Sequence, residues 1–263
     1  MISVITPTYN TRPEHLLRTW NSLKYQTFKD WEWVVWDDST NSNTWELLKS
    51  IALESKFKVS VHRSMEHSGS IGDVKRKGFM IAKGDVLVEL DHDDELTPNC
   101  LTEINKAFHD PKIGFAYSDW AEILPDGRSG KYPEGWAFGY GSEYWNEKYG
   151  YWVMKTPEIN RTTMSNIVSV PNHVRAWRAT LYHQILGHDY RLHIADDYEL
   201  IVRTVLATEV HHIPELLYIQ HIGGHTAQRQ QNDDIQRLVN EIATDYSEYL
   251  DERFSRKSTA SGS

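Results

Sequence analysis

The stretch DVLVELDHDDEL, residues 85–96, joins an apolar run directly to a dense cluster of acidic side chains. Its first half, 85–90, has the length and the branched apolar residues of a buried strand. Four acids and one histidine follow immediately: Asp91, His92, Asp93, Asp94 and Glu95. Like charges this close repel one another, so the cluster indicates a role other than stabilising the fold.

Strand and helix patterns alternate along the first half of the chain. Strands are predicted over 2–6, 31–36, 57–62, 85–90 and 113–117. Helices are predicted between them over 13–26, 43–54, 71–82 and 97–108. This β-α-β spacing predicts an α/β fold, with a mostly parallel central sheet and helices on both of its faces.

Regular patterning is interrupted between residues 119 and 172. Gly, Pro, Trp and Tyr dominate 130–152, which predicts long loops or a small irregular insertion. Its aromatic residues include Trp136, Tyr140, Tyr144, Trp145, Tyr151 and Trp152. Two interpretations stay open: these rings border an acceptor site, where sugars stack on aromatic faces, or they form a local core under a long loop.

Regularity returns after this segment. Helices are predicted over 175–186 and 196–207, short strands over 209–213 and 216–221, and an amphipathic helix over 231–253. The sequence contains no internal repeat and no flexible linker, so we expect a single domain over 1–254. The remaining residues, 255–263, are small and polar and are predicted to form a disordered tail.

The overall composition restricts the classes of function. A net charge of −9 over 263 residues argues against a general nucleic-acid binder, whose affinity depends on cationic contacts with phosphate. The single cysteine, Cys100, excludes an intramolecular disulfide and a cysteine-rich zinc site. No apolar stretch approaches the roughly 20 residues that span a bilayer, and the N-terminus lacks a signal-peptide pattern. We therefore expect a cytoplasmic protein, with peripheral membrane attachment left open.

The position of the acidic cluster indicates a metal site. In open α/β sheets, ligands bind beyond the carboxyl ends of the strands, which is where Asp91, Asp93 and Asp94 are expected. Carboxylates are preferred ligands of Mg²⁺ and Mn²⁺, and a divalent cation would convert their repulsion into coordination. The alternative is that these acids cap the helix predicted to begin near Thr97.

Other motif-like segments accompany the acidic turn, residues 91–95, along the chain. TPTYN (6–10) ends the first predicted strand, WDDST (36–40) ends the second, and GDVKRKGFMIAKGD (72–85) leads into LDHDDEL. In this order, the segments resemble those of the family 2 glycosyltransferases of the GT-A fold. ADDYELIVR (195–203) and YIQHIGGHT (218–226) resemble later elements of the same family.

The resemblance implies the ligands and their distribution over the chain. Residues 1–118 would bind a nucleotide sugar, with UDP as the expected nucleotide by family analogy. Residues 119–254 would bind the acceptor, a hydroxyl group of a glycan or glycoconjugate. A divalent cation, Mn²⁺ or Mg²⁺, is implied as the cofactor, and no nucleic acid is expected as a partner.

The resemblance also implies roles for residues of the nucleotide pocket. Pro7 and Tyr9 would line it, and Asp37 and Asp38 would hydrogen-bond the base or the ribose. The alternative is that Tyr9 packs in the core and that the two acids cap the next helix.

The D-x-D pair of the family corresponds to Asp91 and Asp93. Asp91 would contact the donor and the metal, and Asp93 or Asp94 would be the direct metal ligand. His221 matches a family histidine and would bind the metal or the diphosphate, with a structural role as the alternative. Gln220 departs from the family pattern, which commonly has an arginine there.

A second departure lies before the acidic turn. Lys75 and Arg76 occupy the positions of the usual Arg-Asn pair, so the hydrogen bonds of that pair are not carried over. The two side chains would supply positive charge to a diphosphate, or else lie solvated on a helix.

The second acidic pair, Asp196 and Asp197, stands at the start of a predicted helix. An inverting transfer needs a general base that removes the proton of the attacking hydroxyl, and a positioned carboxylate can do this. In the family element the second acid is usually the base, which assigns that role to Asp197. Asp196 would orient the acceptor or cap the helix, and capping by both acids is the alternative.

Three other functions were weighed against these motifs. A dehalogenase-type phosphatase needs Thr or Val where this chain has Glu95. A sugar nucleotidylyltransferase needs a glycine-rich basic loop where this chain has TPTYNTRPE (6–14). A non-catalytic nucleotide-sugar-binding protein would share the fold, but both acidic pairs are retained.

Overall fold

The computed structural model describes residues 1–167, 170–223 and 232–260. The strands are β1 (Ile2–Thr8), β2 (Trp31–Asp37), β3 (Lys58–Arg63), β4 (Val86–Glu89), β5 (Glu95–Leu96), β6 (Ile113–Ile123), β7 (Ser142–Asn146), β8 (Tyr151–Lys155), β9 (Arg175–Arg178) and β10 (Glu209–His221). The helices are α1 (Pro13–Lys24), α2 (Asn43–Glu54), α3 (Ile71–Ile81), α4 (Cys100–Ala107), α5 (Arg161–Asn166), α6 (Ala179–Gln184), α7 (Asp196–Ala207), α8 (Asn232–Asp245) and α9 (Ser247–Ala260).

One sheet runs through both halves of the chain, in the order β3-β2-β1-β4-β9-β6-β10-β5. The four neighbouring strands β3, β2, β1 and β4 are mutually parallel, and β6 is parallel to β10. The short strand β9 lies antiparallel between β4 and β6, and β7 and β8 form an antiparallel pair attached to β6. The mostly parallel α/β architecture predicted from the sequence is therefore confirmed.

The central strands are apolar on both faces because helices cover both faces. Every residue of β1 is buried, and Trp33 of β2 is fully buried on the face covered by α1. There its ring stacks on Trp20, with the ring centroids 5.2 Å apart. Its indole N–H donates a hydrogen bond to Thr6 Oγ1 at 2.9 Å, so the polar atom of this large side chain is also satisfied.

One predicted element of the second half is partly wrong in kind. The helix predicted over 175–186 begins as strand β9, and only its continuation forms the short helix α6. Here Arg175 and Trp177 point to one face and Ala176 to the other, and the strand fills the gap between β4 and β6. Pairing on both edges outweighs the local helical pattern.

Other boundaries also differ from the prediction. The two short strands predicted over 209–221 are one strand, β10, with bulges along its pairing with β6. The region 119–172 is more regular than expected, because it extends β6 and contains β7, β8 and α5. The helix predicted over 231–253 is two helices, α8 and α9.

Helix α9 extends to Ala260, into the segment 255–263 for which the sequence predicts a disordered tail. The division into one domain over 1–254 and a tail stays a prediction. Residues 261–263, like residues 224–226 of the YIQHIGGHT segment, lie outside the described residues. Within the described part of the chain, no helix combines the length and the apolar character needed to cross a membrane.

Truncation of the buried Trp33 tests the importance of the α1-facing core. Trp33→Ala is expected to lower the free energy of unfolding by about 3–5 kcal/mol, because it leaves a cavity and removes the stacked pair. Urea unfolding measures the change. Tyr25→Ala, which truncates an exposed aromatic side chain, is the control and should change stability by less than about 0.5 kcal/mol. Equal losses in the two variants would contradict this packing.

Candidate active site

The acidic turn lies at the carboxyl end of β4, where strand β5 pairs with the end of β10. The side chains of Asp91 and Asp93 are partly exposed there, at 29% and 33%. Their ion-pair partners among the described residues are histidines: His173 Nε2 lies 3.7 Å from Asp91, and His92 Nδ1 lies 3.9 Å from Asp93. Neither carboxylate forms an ion pair with a lysine or arginine among the described residues, so the oxygen atoms of both suit a divalent cation.

Asp94 faces the interior of the turn. Its carboxylate accepts hydrogen bonds from the Tyr218 hydroxyl and from the backbone N–H of His221, both at 2.7 Å. Burial and the neighbouring Asp93 and Asp91 carboxylates raise the pKa of Asp94 well above its usual range, against those two hydrogen bonds. Asp94 therefore ties the turn to β10, and its role as a direct metal ligand stays a prediction.

His221 adjoins the turn at the end of β10. Its Nε2 lies 2.7 Å from Glu95 Oε1, while its backbone N–H holds Asp94. The imidazole is thus already engaged by a carboxylate of the turn. The structure brings His221 to the predicted metal region, and metal binding by its ring would require exchange of this partner.

A buried charge network lies directly beneath the turn and centres on Glu89, the last residue of β4. Lys75 Nζ lies 2.7 Å from Glu89 Oε1 and 3.6 Å from Asp196 Oδ2. Arg175 Nη1 lies 3.7 Å from Glu89 Oε2 and 3.0 Å from Asp197 Oδ2. Two cations therefore connect one strand-end carboxylate to both acids of α7.

Lys75 is a member of this network. Its side chain is almost completely buried, and although burial opposes its charge, Asp196 and Glu89 raise the pKa of Lys75 well above its usual value. The structure thus engages Lys75 with carboxylates of the chain, and its role in binding the donor diphosphate stays a prediction. The neighbouring Arg76 points elsewhere on α3 and donates to the carbonyls of Leu186 and His188, and its role at the donor site likewise stays a prediction.

Helix α3 reaches Asp196 because its first turn contains a glycine. A Cβ atom at Gly72 would lie 2.9 Å from the carbonyl oxygen of Asp189 and 3.1 Å from Asp196 Cβ. Any larger residue would separate α3 from the start of α7. Ala195, which precedes Asp196, has a φ of 56°, a left-handed conformation that is uncommon outside glycine and that turns the chain into α7.

The two acids of α7 differ in environment. Asp196 is buried, and burial raises its pKa to about 6 even though Lys75 acts in the opposite direction. The Asp197 side chain is 34% exposed. Desolvation favours its neutral form, but the charges of Arg175 and Lys75 outweigh that effect and lower the pKa of Asp197. Asp197 is thus the carboxylate that combines negative charge with access to solvent.

His173 is a residue that the sequence motifs missed. It stacks on Tyr218 with ring centroids 4.7 Å apart, and its Nε2 faces Asp91 and also Glu89, at 3.9 Å. Ligand atoms of Glu89, Asp91 and His173 all lie within 4.8 Å of one another. A metal ion at Glu89 would be repelled by Lys75 and Arg175, so Asp91 and Asp93, which form no ion pair with a lysine or arginine among the described residues, are the better candidates for a metal site.

A cleft lies at the carboxyl ends of β1 and β2, where the sequence predicts the nucleotide pocket. Tyr9 is 48% exposed, and its ring stacks on His67 with centroids 4.8 Å apart. His67 Nδ1 lies 2.7 Å from Asp38 Oδ2. Asp38, His67 and Arg63 line a cleft of about 400 Å³. Asp38 thus lines the cleft, and Tyr9 stacks on His67, another residue of its lining, and is not packed in the core.

Asp37 and Pro7 lie behind this cleft. Asp37 is completely buried, accepts hydrogen bonds from Thr8 Oγ1 and Ser39, and lies 3.4 Å from Arg63 Nε. Its carboxylate organises the loop after β2, and its contact with the base or ribose stays a prediction. Pro7 is buried opposite Trp36 in the register of β1 and β2.

The aromatic region contains both packed and exposed rings. Trp136 packs edge-on against the buried Trp120 and stacks on Tyr132, which is local core. Trp145, on β7, is 43% exposed and contacts Trp152 of β8. The region is therefore core at one end and an exposed aromatic surface at the other.

The family model described as Glycosyl transferase family 2 matches residues 3–185, which include the nucleotide cleft, the acidic turn and Arg175. The chain belongs to this family. WcaA of Escherichia coli K12, named a putative colanic acid biosynthesis glycosyl transferase, is 33% identical to it over 104 residues, or 39% of this chain and 36% of WcaA. The chain spans less than two fifths of the length of the curated relatives that it matches.

Solved structures relate this family 2 chain to the GT-A fold. S. aureus TarS 1–349 in complex with UDP-GlcNAc has a TM-score of 0.68 at 19% identity, covering 90% of this chain and 65% of TarS 1–349. The mannosyltransferase PcManGT of Pyrobaculum calidifontis, in complex with GDP-Man and Mn²⁺, has a TM-score of 0.67 at 16% identity, covering 94% and 64%. At these identities the comparison establishes the fold.

The raised pKa of Asp196 predicts a pH dependence of stability in this family 2 chain. A carboxyl whose folded-state pKa is about 6 stabilises the fold below its unfolded value, near 4, and loses that contribution as the pH rises to 6 and above. The unfolding free energy of the wild type minus that of Asp196→Asn should therefore fall between pH 4 and pH 7, by at most about 3 kcal/mol. Denaturant unfolding at each pH measures it, and a constant or rising difference would contradict the environment described for Asp196.

Proposed function

We propose that this chain is a metal-dependent inverting glycosyltransferase, which moves a sugar from a nucleotide-sugar donor to a hydroxyl group of a glycan or glycoconjugate. The observation that carries the proposal is the buried network around Glu89. It links the strand that ends in the acidic turn to the helix that bears Asp197. The candidate metal-binding turn and a candidate base are thereby joined to one buried network, in a chain of family 2.

Asp91 and Asp93 are the residues that would hold the divalent cation, Mn²⁺ or Mg²⁺. Their carboxylates are partly exposed and lack lysine or arginine partners among the described residues, whereas Glu89 and Asp94 are committed to other groups. When bound, the cation offsets the charge that develops on the leaving diphosphate. The Mn²⁺ complex of the structural neighbour PcManGT is consistent with this cofactor.

Tyr9, Asp38 and His67 would receive the nucleotide. An exposed aromatic ring beside a carboxylate suits a planar base, which stacks on the ring and donates an N–H to the acid. UDP is the proposed nucleotide, because uracil carries such an N–H group and because the neighbour TarS binds UDP-GlcNAc. The sugar would extend from this cleft towards the acidic turn.

Asp197 would act as the general base. The attacking hydroxyl transfers its proton to the Asp197 carboxylate while its oxygen forms a bond to the anomeric carbon. The bond from that carbon to the diphosphate oxygen breaks in the same displacement, and the nucleoside diphosphate leaves with the electron pair. Attack opposite to the leaving group inverts the anomeric configuration. The exposed aromatic surface at Trp145 is proposed to border the acceptor.

A panel of nucleotide sugars tests the donor and the cofactor together. UDP-GlcNAc, UDP-glucose and GDP-mannose, each with and without Mn²⁺, are added in a thermal-shift experiment. A ligand that binds only the folded protein stabilises it by about 2.7 kcal/mol at 100 times its dissociation constant, which raises the melting temperature. Stabilisation by a UDP-sugar only when Mn²⁺ is present is the expected result. No shift with any donor would contradict the proposal.

Replacement of Asp93 tests the metal site. Asp93→Ala should weaken Mn²⁺-dependent binding of UDP by more than about 10-fold while the fold is retained, because removing a carboxylate also relieves repulsion in the turn. Calorimetry with UDP and Mn²⁺ measures the affinity, and Asp126→Ala, in an exposed loop, is the control. Unchanged affinity would refute the assignment of Asp93, and the same result for Asp91→Ala would refute the site.

Replacement of Asp197 separates catalysis from helix capping. Asp197→Asn should preserve UDP affinity but lower turnover by about 10²–10⁴-fold, since Asn still caps a helix and cannot accept the proton. UDP release from the preferred donor measures turnover. Glu199→Gln, in the same helix but paired with Arg203, is the matched control and should remain active. Near-normal turnover in Asp197→Asn would transfer the role to Asp196, and activity in both single variants would contradict the mechanism.

A further inference from the structure

Arg175 joins the two acidic groups of the site from a rigid position. Strand β9 is paired on both edges, and in its register with β4 Arg175 lies directly opposite Glu89. The side chain is almost completely buried, and its Nε donates to the carbonyl oxygen of Pro171 at 3.1 Å. One nitrogen, Nη1, then faces both Glu89, at 3.7 Å, and Asp197, at 3.0 Å.

The contact with Asp197 is not required to neutralise Glu89. Lys75 already lies 2.7 Å from Glu89, closer than Arg175 does. The shorter contact of Arg175 is with Asp197, a side chain that remains one third exposed and could otherwise be solvated by water. The guanidinium is fixed at its Nε and directed at a partly exposed carboxylate. Such a contact is better suited to orienting the carboxylate than to compensating a buried charge.

The geometry points to Arg175 as a positioning residue: it holds the Asp197 carboxylate at one orientation, keeps it charged, and ties it through Glu89 to the strand that carries the acidic turn. This inference rests on the base role proposed for Asp197. The charged groups that face Asp197 are Arg175 from β9, Lys75 from α3 and Glu89 from β4, together with Asp196 beside it on α7. Arg175 is the one of these that donates a hydrogen bond to it among the described residues.

Arg175→Gln removes the positive charge and the guanidinium N–H that donates to Asp197. We expect turnover to fall by about 10–10²-fold, the scale of a misplaced catalytic group, while calorimetric affinity for UDP and Mn²⁺ stays within about 2-fold. The acid limb of the pH profile of kcat/KM should move to higher pH, because Asp197 loses its main stabilising cation. Arg175→Lys keeps the positive charge but lacks the planar N–H donors of the guanidinium. Compared with Arg175→Gln, it should restore the position of the acid limb and part of the turnover.

The control is Arg178→Gln, on the same strand. Arg178 donates to the carbonyls of Ile113, Phe108 and Asp110 and contacts no carboxylate of the site. It should cost stability, measured by urea unfolding, without changing the pH profile. In an Asp197→Asn background, Arg175→Gln should cause no additional loss of UDP release, because the residue through which it acts is already gone.

Two results would overturn the inference while leaving the proposed function intact. One is an Arg175→Gln enzyme whose turnover and pH profile match those of Arg178→Gln. The other is an equal fold-loss from Arg175→Gln with and without Asp197→Asn. If Arg175→Gln does not fold by circular dichroism, Arg175→Lys with and without Asp197→Asn gives the same comparison. A wild-type protein that releases no UDP from any donor of the panel would overturn the proposed function, and this inference with it.

Discussion

The ion pair between Lys75 and Glu89 is the interaction on which the rest of the site depends. Both side chains are almost completely buried, and each has a second charged neighbour, Asp196 for Lys75 and Arg175 for Glu89. Breaking a buried pair by removing one member typically costs about 3–5 kcal/mol, because the remaining charge is left without compensation. The pair therefore fixes α3 and α7 against the end of β4, so that the acidic turn and Asp197 have one relative arrangement.

The role of a residue could be predicted from the sequence where that role depends on its near neighbours along the chain, and not where it depends on tertiary contacts. The alternation of strands and helices, the acidic turn after β4 and the acidic pair at α7 are visible in short stretches, and their order led to the family. Burial is a property of the tertiary structure. Asp93 and Asp94 are neighbours of identical chemistry, yet Asp94 faces Tyr218 from a strand more than a hundred residues later, which no local pattern indicates.

The same reason explains the residues that were missed. Glu89 reads as part of an apolar strand, and its importance follows only from Lys75 and Arg175. Arg175 was placed in a helix because β9 is four residues long and runs directly into α6. Strand β9 exists because β4 and β6 each offer it an unpaired edge. The alternation of the large Arg175 and Trp177 with the small Ala176 was the available signal, but it is too short to distinguish strand from helix.

The inward direction of Asp94 affects how the binding of the cation and the binding of the donor depend on each other. In the proposed reaction it leaves two carboxylates, Asp91 and Asp93, for the divalent cation, which takes about six ligands or more. Water or diphosphate oxygens would complete the coordination sphere, so the protein alone would bind the cation weakly and the donor would strengthen that binding. By thermodynamic reciprocity the cation strengthens donor binding by the same factor as the donor strengthens cation binding. Cation and donor would then occupy the site as one cooperative unit and depart from it in the same way, which couples release of the nucleoside diphosphate to loss of the metal.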